Sequence, residues 1–405
     1  MKKFKSLLPL LLIFSIACNS TNNKEIKMQQ ETFGNDLDFL RKHHKNLILL
    51  EEGDARLIVL PDYQGRVMTS TAEGDEGMSF GWINHELVAS GKFTEHFSAF
   101  GGEDRLWLGP EGGQYSIYFK KGVDFTFDNW FVPREIDTEP FDVLATSKTE
   151  ASFQKRMHLE NYSGTAFDLM INRKIRLMSN AEIELLLKGA IQQDVKVVGF
   201  ESENIITNEG KNQWDKSTGL LSLWILSMLR ADDSTTVFIP YRKGDSTALG
   251  KVLTDDYFGK VPSERLKVDS GLIRFKADGK LRSKIGISPL RTVPMAASYD
   301  ARNRVLTIAL FSFDPIQQDY VNSLWKIQED PYSGDVVNAY NDGPVDGKQM
   351  GKFYEIESSS PAAALAPGQQ LVHTHKTIHL KGKPEDLEHI TNALFGVKLD
   401  QVVLK

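Results

Sequence analysis

The densest set of chemically reactive residues in the chain lies between Gly101 and Gln114. In this segment five glycines are interspersed with three carboxylates, one arginine and one tryptophan. Glycine allows close backbone approaches, and clustered charges are costly to bury unless they pair or bind a ligand. We therefore predict that the segment lines one side of a polar pocket, with Arg105, Trp107 and Glu111 as ligand-binding residues. A rigid turn with a structural Asp–Arg pair is the alternative.

Two glutamates alternate in a strand-like segment near the C-terminus. Glu355 and Glu357 are two residues apart, so their side chains leave the same face of a strand. In a pair of neighbouring carboxylates one pKa is often raised, which suits general acid or base catalysis. The alternative is the solvated face of an edge strand.

Three histidines follow in the next strand-like segment. His373, His375 and His379 share its odd-numbered, polar face, while Ile378 on the even-numbered face indicates the core side. Two imidazoles at this spacing can bind a ligand, so His373 and His375 are candidate substrate-binding residues. A metal held by these two with Glu357 is a weaker alternative, and three solvated histidines are the other. We predict no resident metal and no cofactor.

Other polar residues occur beside aromatic rings or in turns. Glu203 and Trp214 belong to a polar stretch, and an aromatic ring next to carboxylates and amides is typical of sugar sites. Asn341 and Asp342 lie in an Asn-Asp-Gly-Pro segment, which predicts a turn. All four are candidate substrate-binding residues, with core packing and turn formation as the alternatives.

Composition and missing motifs exclude several classes of protein. The chain has 405 residues, of which 41% are hydrophobic, and a net charge of −6. Outside the N-terminus it has no run of basic residues, so we predict no nucleic-acid partner. It also lacks Gly-x-Ser-x-Gly, Walker, dinucleotide-binding and His-Glu-x-x-His motifs, which argues against the common hydrolases, nucleotide-binding proteins and zinc proteases.

The N-terminus has the pattern of a targeting segment. A basic start is followed by the apolar run Leu7–Ile16, which is too short to span a bilayer as a helix. The run ends in Ser-Ile-Ala-Cys and resembles a bacterial lipoprotein signal with lipidation at Cys18, the only cysteine. We predict a signal peptide over residues 1–18, a polar tether over 19–32 and an exported protein anchored to the outer membrane. An ordinary secretory signal is the alternative.

The remaining chain shows many short strand-like runs separated by turns, which predicts an all-β sandwich or barrel. We predict one domain over residues 33–400, with a short N-terminal helix capped by Asn35 or Asp36 and a C-terminal helix beginning at Pro384. Residues 115–119 are predicted as a strand, and residues 220–229 and 235–241 as a hairpin.

These segments together resemble galactose-mutarotase-like (aldose 1-epimerase-like) proteins. The resemblance rests on Glu357-Ser-Ser-Ser-Pro361, the following Leu365-Ala-Pro-Gly368 and the final His/Thr-rich strand. The early strands at residues 55–60 and 65–70, and His96 followed by Gly101-Gly102 and Trp107, are also similar to that family. The whole chain resembles an uncharacterised family of Bacteroidetes lipoproteins assigned to the same superfamily.

The resemblance implies a β-supersandwich of two large antiparallel sheets with a carbohydrate site. It gives Glu357 the position of the catalytic base, with Glu355 as the alternative. The family's histidine acid comes from a mid-chain Asn-x-x-x-His-x-Tyr-Phe stretch, but this chain has no histidine between His158 and His373. The acid would then come from His96, Glu103 or Asp104.

Two functions are therefore expected from the sequence. The first is a lipid-anchored enzyme that transfers protons at or near the anomeric carbon of a sugar, with Arg105 orienting the ligand and Trp107 or Trp214 stacking on its ring. The second is a non-catalytic glycan-binding lipoprotein of a saccharide-uptake system, which the missing mid-chain histidine favours.

Overall fold

The chain builds two large antiparallel sheets, seen in a computed structural model that describes residues 32–269 and 271–404. The first sheet has eight strands in the spatial order β1 (Ile48–Glu52), β2 (Ala55–Leu60), β3 (Arg66–Thr71), β4 (Gly102–Gly109), β9 (Ser222–Arg230), β17 (Phe353–Ser359), β16 (Val337–Asn341) and β13 (Ser283–Ile287). The second has ten, in the order β11 (Leu266–Asp269), β12 (Leu272–Lys276), β10 (Thr235–Pro240), β14 (Met295–Asp300), β15 (Val305–Phe311), β18 (Gln370–Lys381), β8 (Lys196–Asn208), β7 (Ala166–Leu177), β6 (Glu150–Glu160) and β5 (Asp142–Thr146). The predicted all-β class with two antiparallel sheets is confirmed.

Helices in the described residues are short and lie around the sheets. They are α1 (Phe33–His43), α2 (His85–Ser90), α3 (Arg134–Asp137), α4 (Asn180–Leu186), α5 (Ser246–Leu249), α6 (Pro384–Phe395) and α7 (Leu399–Val402), with 3₁₀ turns at Pro61–Tyr63 and Phe127–Asn129. The predicted N- and C-terminal helices are present as α1 and α6. None of the helices in the described part of the chain is long and apolar enough to cross a membrane.

The main core fills the space between the sheets. Strand alternation turns Leu106 and Ile225 of the first sheet towards Ile171, Phe200 and Ile206 of the second, and all five belong to one buried cluster. Each such side chain contributes about 1.5–3 kcal/mol when fully buried. The described residues form one compact unit.

Some local predictions were wrong. The cap of α1 is Thr32, whose Oγ1 accepts from the Asn35 amide, while Asp36 lies inside the helix and pairs with His85 at 2.7 Å. Residues 115–119 form no strand but a loop that is held by the Tyr118 hydroxyl, which donates to a backbone carbonyl at 2.7 Å. The predicted hairpin at residues 220–241 does not form because β9 and β10 lie in different sheets.

The odd-numbered face of β18 faces the other sheet and is not solvated, while Ile378 on the even-numbered face is buried in a second hydrophobic cluster, as predicted. His373, His375 and His379 are buried between the sheets, whereas Val372 on the even-numbered face is 48% exposed. The predicted signal peptide, Cys18 and almost all of the predicted tether lie outside the described residues.

Candidate functional site

Strand β17 presents different chemistry on its two faces. Ser358 points into the space between the sheets, where its Oγ lies 2.8 Å from His373 Nε2. Glu355 and Glu357 point to the opposite face, which we call the cleft face of the first sheet. Register places Glu357 between Leu226 of β9 and Asn338 of β16. The neighbouring strands thus determine which groups surround this carboxylate.

Glu357 is fully buried and is held through one carboxylate oxygen. Its Oε2 accepts from Trp224 Nε1 at 2.9 Å and from Lys284 Nζ at 2.8 Å. The Lys284 ammonium lies 4.8 Å from the centroid of the Trp224 ring. The other oxygen, Oε1, is buried and has no hydrogen-bond partner among the described residues. Buried polar atoms are nearly always hydrogen-bonded, so this oxygen is available to a further hydrogen-bond donor.

A small cleft opens beside Lys284 and Trp224. It opens into about 350 Å³ of space that includes open solvent, and a water-sized group can be centred in about 20 Å³ of it, which is room for about one hydroxyl-sized group. Ser222 Oγ, on its wall, is buried and without a protein partner among the described residues. The lining residues are Gly109, Ser222, Trp224, Tyr257, Lys284, Val321, Ser323, Asp335, Asn338 and Ser359.

A second carboxyl group lies on the cleft wall. The Tyr257 hydroxyl donates to Asp335 Oδ2 at 2.5 Å and accepts from Asn338 Nδ2 at 3.3 Å. Burial raises the pKa of Asp335 above its usual value, although the Tyr257 hydrogen bond and the Lys284 charge act in the opposite direction. Burial also raises the pKa of Tyr257 well above its usual value, so the phenol stays neutral.

Arg105 and Glu355 form an ion pair on the same face. Arg105 Nη2 lies 3.1 Å from Glu355 Oε1, and its guanidinium lies 4.4 Å from the Trp107 ring centroid and 5.0 Å from that of Phe97. Burial raises the pKa of Glu355 to about 8; the Arg105 charge opposes this shift and the Glu357 charge adds to it. The Nε and Nη1 groups of Arg105 are buried without partners among the described residues.

Two further predicted residues contribute acidic groups near the cleft face. Burial raises the pKa of Glu111. The Lys284 charge opposes this shift and the Glu357 charge adds to it, so Glu111 lies near enough to Lys284 and Glu357 to interact electrostatically with each. Asp342 accepts from the Tyr340 hydroxyl at 2.7 Å, and burial raises its pKa as well. The cleft face therefore carries carboxyl groups in unlike environments, which is the arrangement that separates acids from bases.

Glu103 and Asp104 lie on the other face of the sheet and do not converge with Glu357. Asp104 pairs with Arg173 of the second sheet at 2.5 Å, and Glu103 pairs with His379 at 2.9 Å. The physical cause is a β-bulge, because the register between β4 and β9 shifts between Gly102 and Arg105. Two consecutive carboxylates thus turn inward before Arg105 and Trp107 turn to the cleft face.

His373 and His375 also lie between the sheets and not in the cleft. The Ser358 hydroxyl bridges His373 Nε2 at 2.8 Å and His375 Nδ1 at 2.9 Å, and Ser312 Oγ lies 2.9 Å from His373 Nδ1. Burial lowers the pKa of His373 to about 3 and that of His375 to about 4, so both are neutral. Among the described residues there is no group of three metal-ligating side chains.

Four more predicted site residues lie away from the cleft. Glu203 is on the exposed side of β8, and Trp214 is 4% exposed in the core. Asn341 is held by the backbone: its Oδ1 accepts from the Gly279 amide at 2.8 Å, and its Nδ2 donates to the Leu281 carbonyl oxygen at 2.8 Å. His96 Nδ1 lies 2.7 Å from the Trp130 carbonyl oxygen.

Sequence reasoning missed Trp224, Tyr257, Lys284, Asp335 and Asn338. Trp224 belongs to an apolar strand, where a tryptophan indicates core packing. Lys284 stands 73 residues before Glu357, and Tyr257 stands 78 residues before Asp335, so no local spacing links them. The lysine in the otherwise apolar segment Ser283–Ile287 was the one available signal.

The two antiparallel sheets and the carboxylates buried on one of them define this chain as a β-sandwich with a candidate acid/base cleft. Residues 31–405 match the family described as "Family of unknown function (DUF6786)", and the chain belongs to that family. No curated protein matches the chain.

Similar solved structures include a putative aldose 1-epimerase from Escherichia coli K12, with 11% identity over 82% of this chain and 98% of that chain and a TM-score of 0.49. Another is a galactose mutarotase-like protein from Lactobacillus casei, with 10% identity over 83% of this chain and 100% of that chain and a TM-score of 0.47. The predicted likeness to this group is thus found among solved structures, and it concerns the fold alone.

Proposed function

We propose that this protein binds a carbohydrate at the cleft face and transfers protons at its anomeric carbon, with Glu357 as the general base. The observation that carries the proposal is the state of the Glu357 carboxylate. One oxygen is fixed by Trp224 and Lys284, and the other is buried without a partner among the described residues. A base positioned in this way has one oxygen left to accept a substrate proton.

The proposed reaction is interconversion of anomers by ring opening. Glu357 Oε1 takes the proton of the anomeric hydroxyl, the C1–O1 bond becomes a carbonyl and the C1–O5 bond breaks. The ring oxygen receives a proton from an acid on the other side of the cleft. Closure of the ring on the opposite face of C1 returns both protons, so no other reactant is consumed.

The dimensions of the cleft support entry of one edge of a sugar. The space of about 20 Å³ in which a water-sized group can be centred fits one hydroxyl such as O1. The rest of the ring would occupy the open mouth beside Val321 and Ser323. The sequence resemblance at Glu357–Pro361 supports the same role for Glu357.

A glycan-binding protein without catalytic activity is the second candidate. The observation that favours it is the Lys284–Glu357 ion pair at 2.8 Å, which a proton on Glu357 would weaken. In that case the cleft would bind a sugar hydroxyl through Glu357 and Lys284 without turning it over.

Anomer exchange measured by NMR on the purified protein separates the two functions. We would screen neutral aldohexoses, aldopentoses and reducing disaccharides, and compare wild type with Glu357→Gln. Glu160→Gln is the matched control, because Glu160 is exposed at the end of β6. Exchange that is faster than in buffer and lost only in Glu357→Gln supports the enzyme. Saturable binding without exchange supports the glycan-binding protein, and neither exchange nor binding contradicts both.

We also propose that the protein is exported and lipid-anchored through Cys18, as the N-terminal sequence suggests. Labelling of growing cells with a radioactive fatty acid tests this. Wild-type protein would carry the label in the membrane fraction, and Cys18→Ala would not. Equal labelling of the two proteins would contradict the proposal.

A further inference from the structure

We infer that Asp335, positioned by Tyr257, is the general acid that protonates the ring oxygen of the substrate. This inference rests on the proposed function, for which the chain lacks the expected mid-chain histidine. It assigns a role to two residues that no sequence motif identifies.

Asp335 lines the cleft, and Glu357 is bonded through Oε2 to two other residues that line it, Trp224 and Lys284. Lys284 gives one link between the two carboxyl groups, because it binds Glu357 at 2.8 Å and its charge acts on Asp335. Asn338 gives a second link, because it faces Glu357 across the β16–β17 pair and donates to the Tyr257 hydroxyl at 3.3 Å. The substrate's O1 and O5 are adjacent atoms on C1, and the cleft offers one carboxyl group to each.

The pKa of Asp335 is raised above that of an ordinary aspartate. Tyr257 and Thr254 donate hydrogen bonds to it, and the charged groups that act on it are Lys251 and Lys284. These four interactions lower its pKa, but burial outweighs them and raises it. The Tyr257 hydrogen bond fixes Oδ2 and with it the orientation of the carboxyl group towards the cleft that it lines.

The other groups on this face are less suited to donate that proton. Tyr257 has a pKa raised well above its usual value by burial, and Lys284 already bonds to Glu357. Glu111 has a raised pKa, but its carboxyl group already has Trp325 as a hydrogen-bond partner. The acids suggested by the sequence, Glu103 and Asp104, lie between the sheets.

The proposed step moves two protons and returns both. Glu357 gains the proton of O1–H, and Asp335 loses its proton to O5 as the C1–O5 bond breaks. The open-chain aldehyde then rotates about C1–C2. On closure O5 returns its proton to Asp335, and Glu357 returns its proton to O1.

The pH dependence of anomer exchange tests the inference. Wild-type exchange should fall on the alkaline side as Asp335 loses its proton. Asp335→Asn should reduce kcat about 10²–10⁴-fold, the usual contribution of a general acid, and remove the alkaline limb. Tyr257→Phe removes a hydrogen bond that lowers the pKa of Asp335, so its alkaline limb should move to higher pH. Asp38→Asn, an exposed residue on α1, is the control.

Each outcome separates the inference from the proposed function. Wild-type kcat and an unchanged alkaline limb in Asp335→Asn would overturn the inference, while loss of exchange in Glu357→Gln would leave the function standing. If Asp335→Asn fails to fold, an unshifted alkaline limb in Tyr257→Phe overturns the inference. Absence of exchange in the wild type overturns both.

Discussion

Replacement of Arg173 by Met should destabilise the protein severely without involving the cleft. Arg173 is 1% exposed and links the two sheets. Its Nη2 bonds to Asp104 Oδ1 at 2.5 Å, its Nη1 bonds to Asn204 Oδ1 at 2.6 Å, and its Nε bonds to the Gly65 carbonyl oxygen at 3.1 Å. Met fills a similar volume but leaves the Asp104 carboxylate buried with a single hydrogen bond, from Ser202 at 2.8 Å.

The magnitude follows from the asymmetry of buried ion pairs. Forming the pair gives little net stability, because the cost of desolvation offsets most of the attraction. Removing one partner leaves an uncompensated buried charge, which costs about 3–5 kcal/mol. The double variant Arg173→Met/Asp104→Asn removes that charge, so we expect it to be more stable than Arg173→Met alone.

Urea unfolding followed by tryptophan fluorescence measures these differences. Arg156→Met is the matched control, because Arg156 is 73% exposed and solvent screens its ion pair with Glu209. A loss below 1 kcal/mol for Arg173→Met, or a double variant no more stable than this single variant, would refute the reasoning. Asp104→Asn should also keep the sugar affinity of the wild type, since Asp104 lies on the other face of the sheet.

Three further predictions concern the cleft and the space between the sheets. The pKa of Glu355 is raised to about 8 in the folded state, so the native state holds more protons than the unfolded state between about pH 4.5 and 8. Stability should therefore fall as pH rises through this range, and urea titrations of Glu355→Gln should show a flatter dependence. Gly286→Ala should reduce anomer exchange at least tenfold and cost about 1–3 kcal/mol, because a Cβ there would overlap the Asp335 carboxylate. Ser358→Ala should cost about 1–3 kcal/mol in thermal unfolding and leave exchange unchanged, since its hydroxyl bridges two histidines away from the cleft.

Each of these predictions has an outcome that would contradict it. An unchanged pH dependence in Glu355→Gln would assign the slope to another group. Wild-type exchange in Gly286→Ala would show that Asp335 tolerates displacement. A loss of exchange in Ser358→Ala, with the fold intact, would connect the histidines to the cleft. Gly382→Ala is the matched control for Gly286→Ala. A Cβ at Gly382 would lie 3.1 Å from Val195 Cγ2, away from the cleft.

Period-two patterns predicted the strands and the fold class, because alternation is a local property of the chain. They also placed Glu355 and Glu357 on one face. The face that becomes the interior depends on what packs against it. The polar row of His373 and His375 faces inward because Ser358 of β17 and Ser312, which directly follows β15, offer matching hydrogen bonds.

The bulge in β4 explains why only part of the segment from Gly101 to Gln114 lies on the cleft face, as predicted for all of it. Strict alternation would place Glu103 and Arg105 on the same face, but the register shift separates them. Its cause is the pair Gly101 and Gly102, with φ values of 98° and 114° that other residues rarely adopt. The glycines were noted as conformationally special, but the resulting change of face depends on pairing with β9, about 120 residues later.

The positions of the last two strands determine when the protein can fold during its synthesis. Strand β17 lies between β9 and β16, and β18 lies between β15 and β8, so both are inserted into the interior of a sheet. A nascent chain that ends before residue 353 therefore carries a gap in each sheet, with four strand edges open to other chains. Native pairing therefore waits for the synthesis of β17 and β18, and a chain truncated within β18 should be diverted to aggregation.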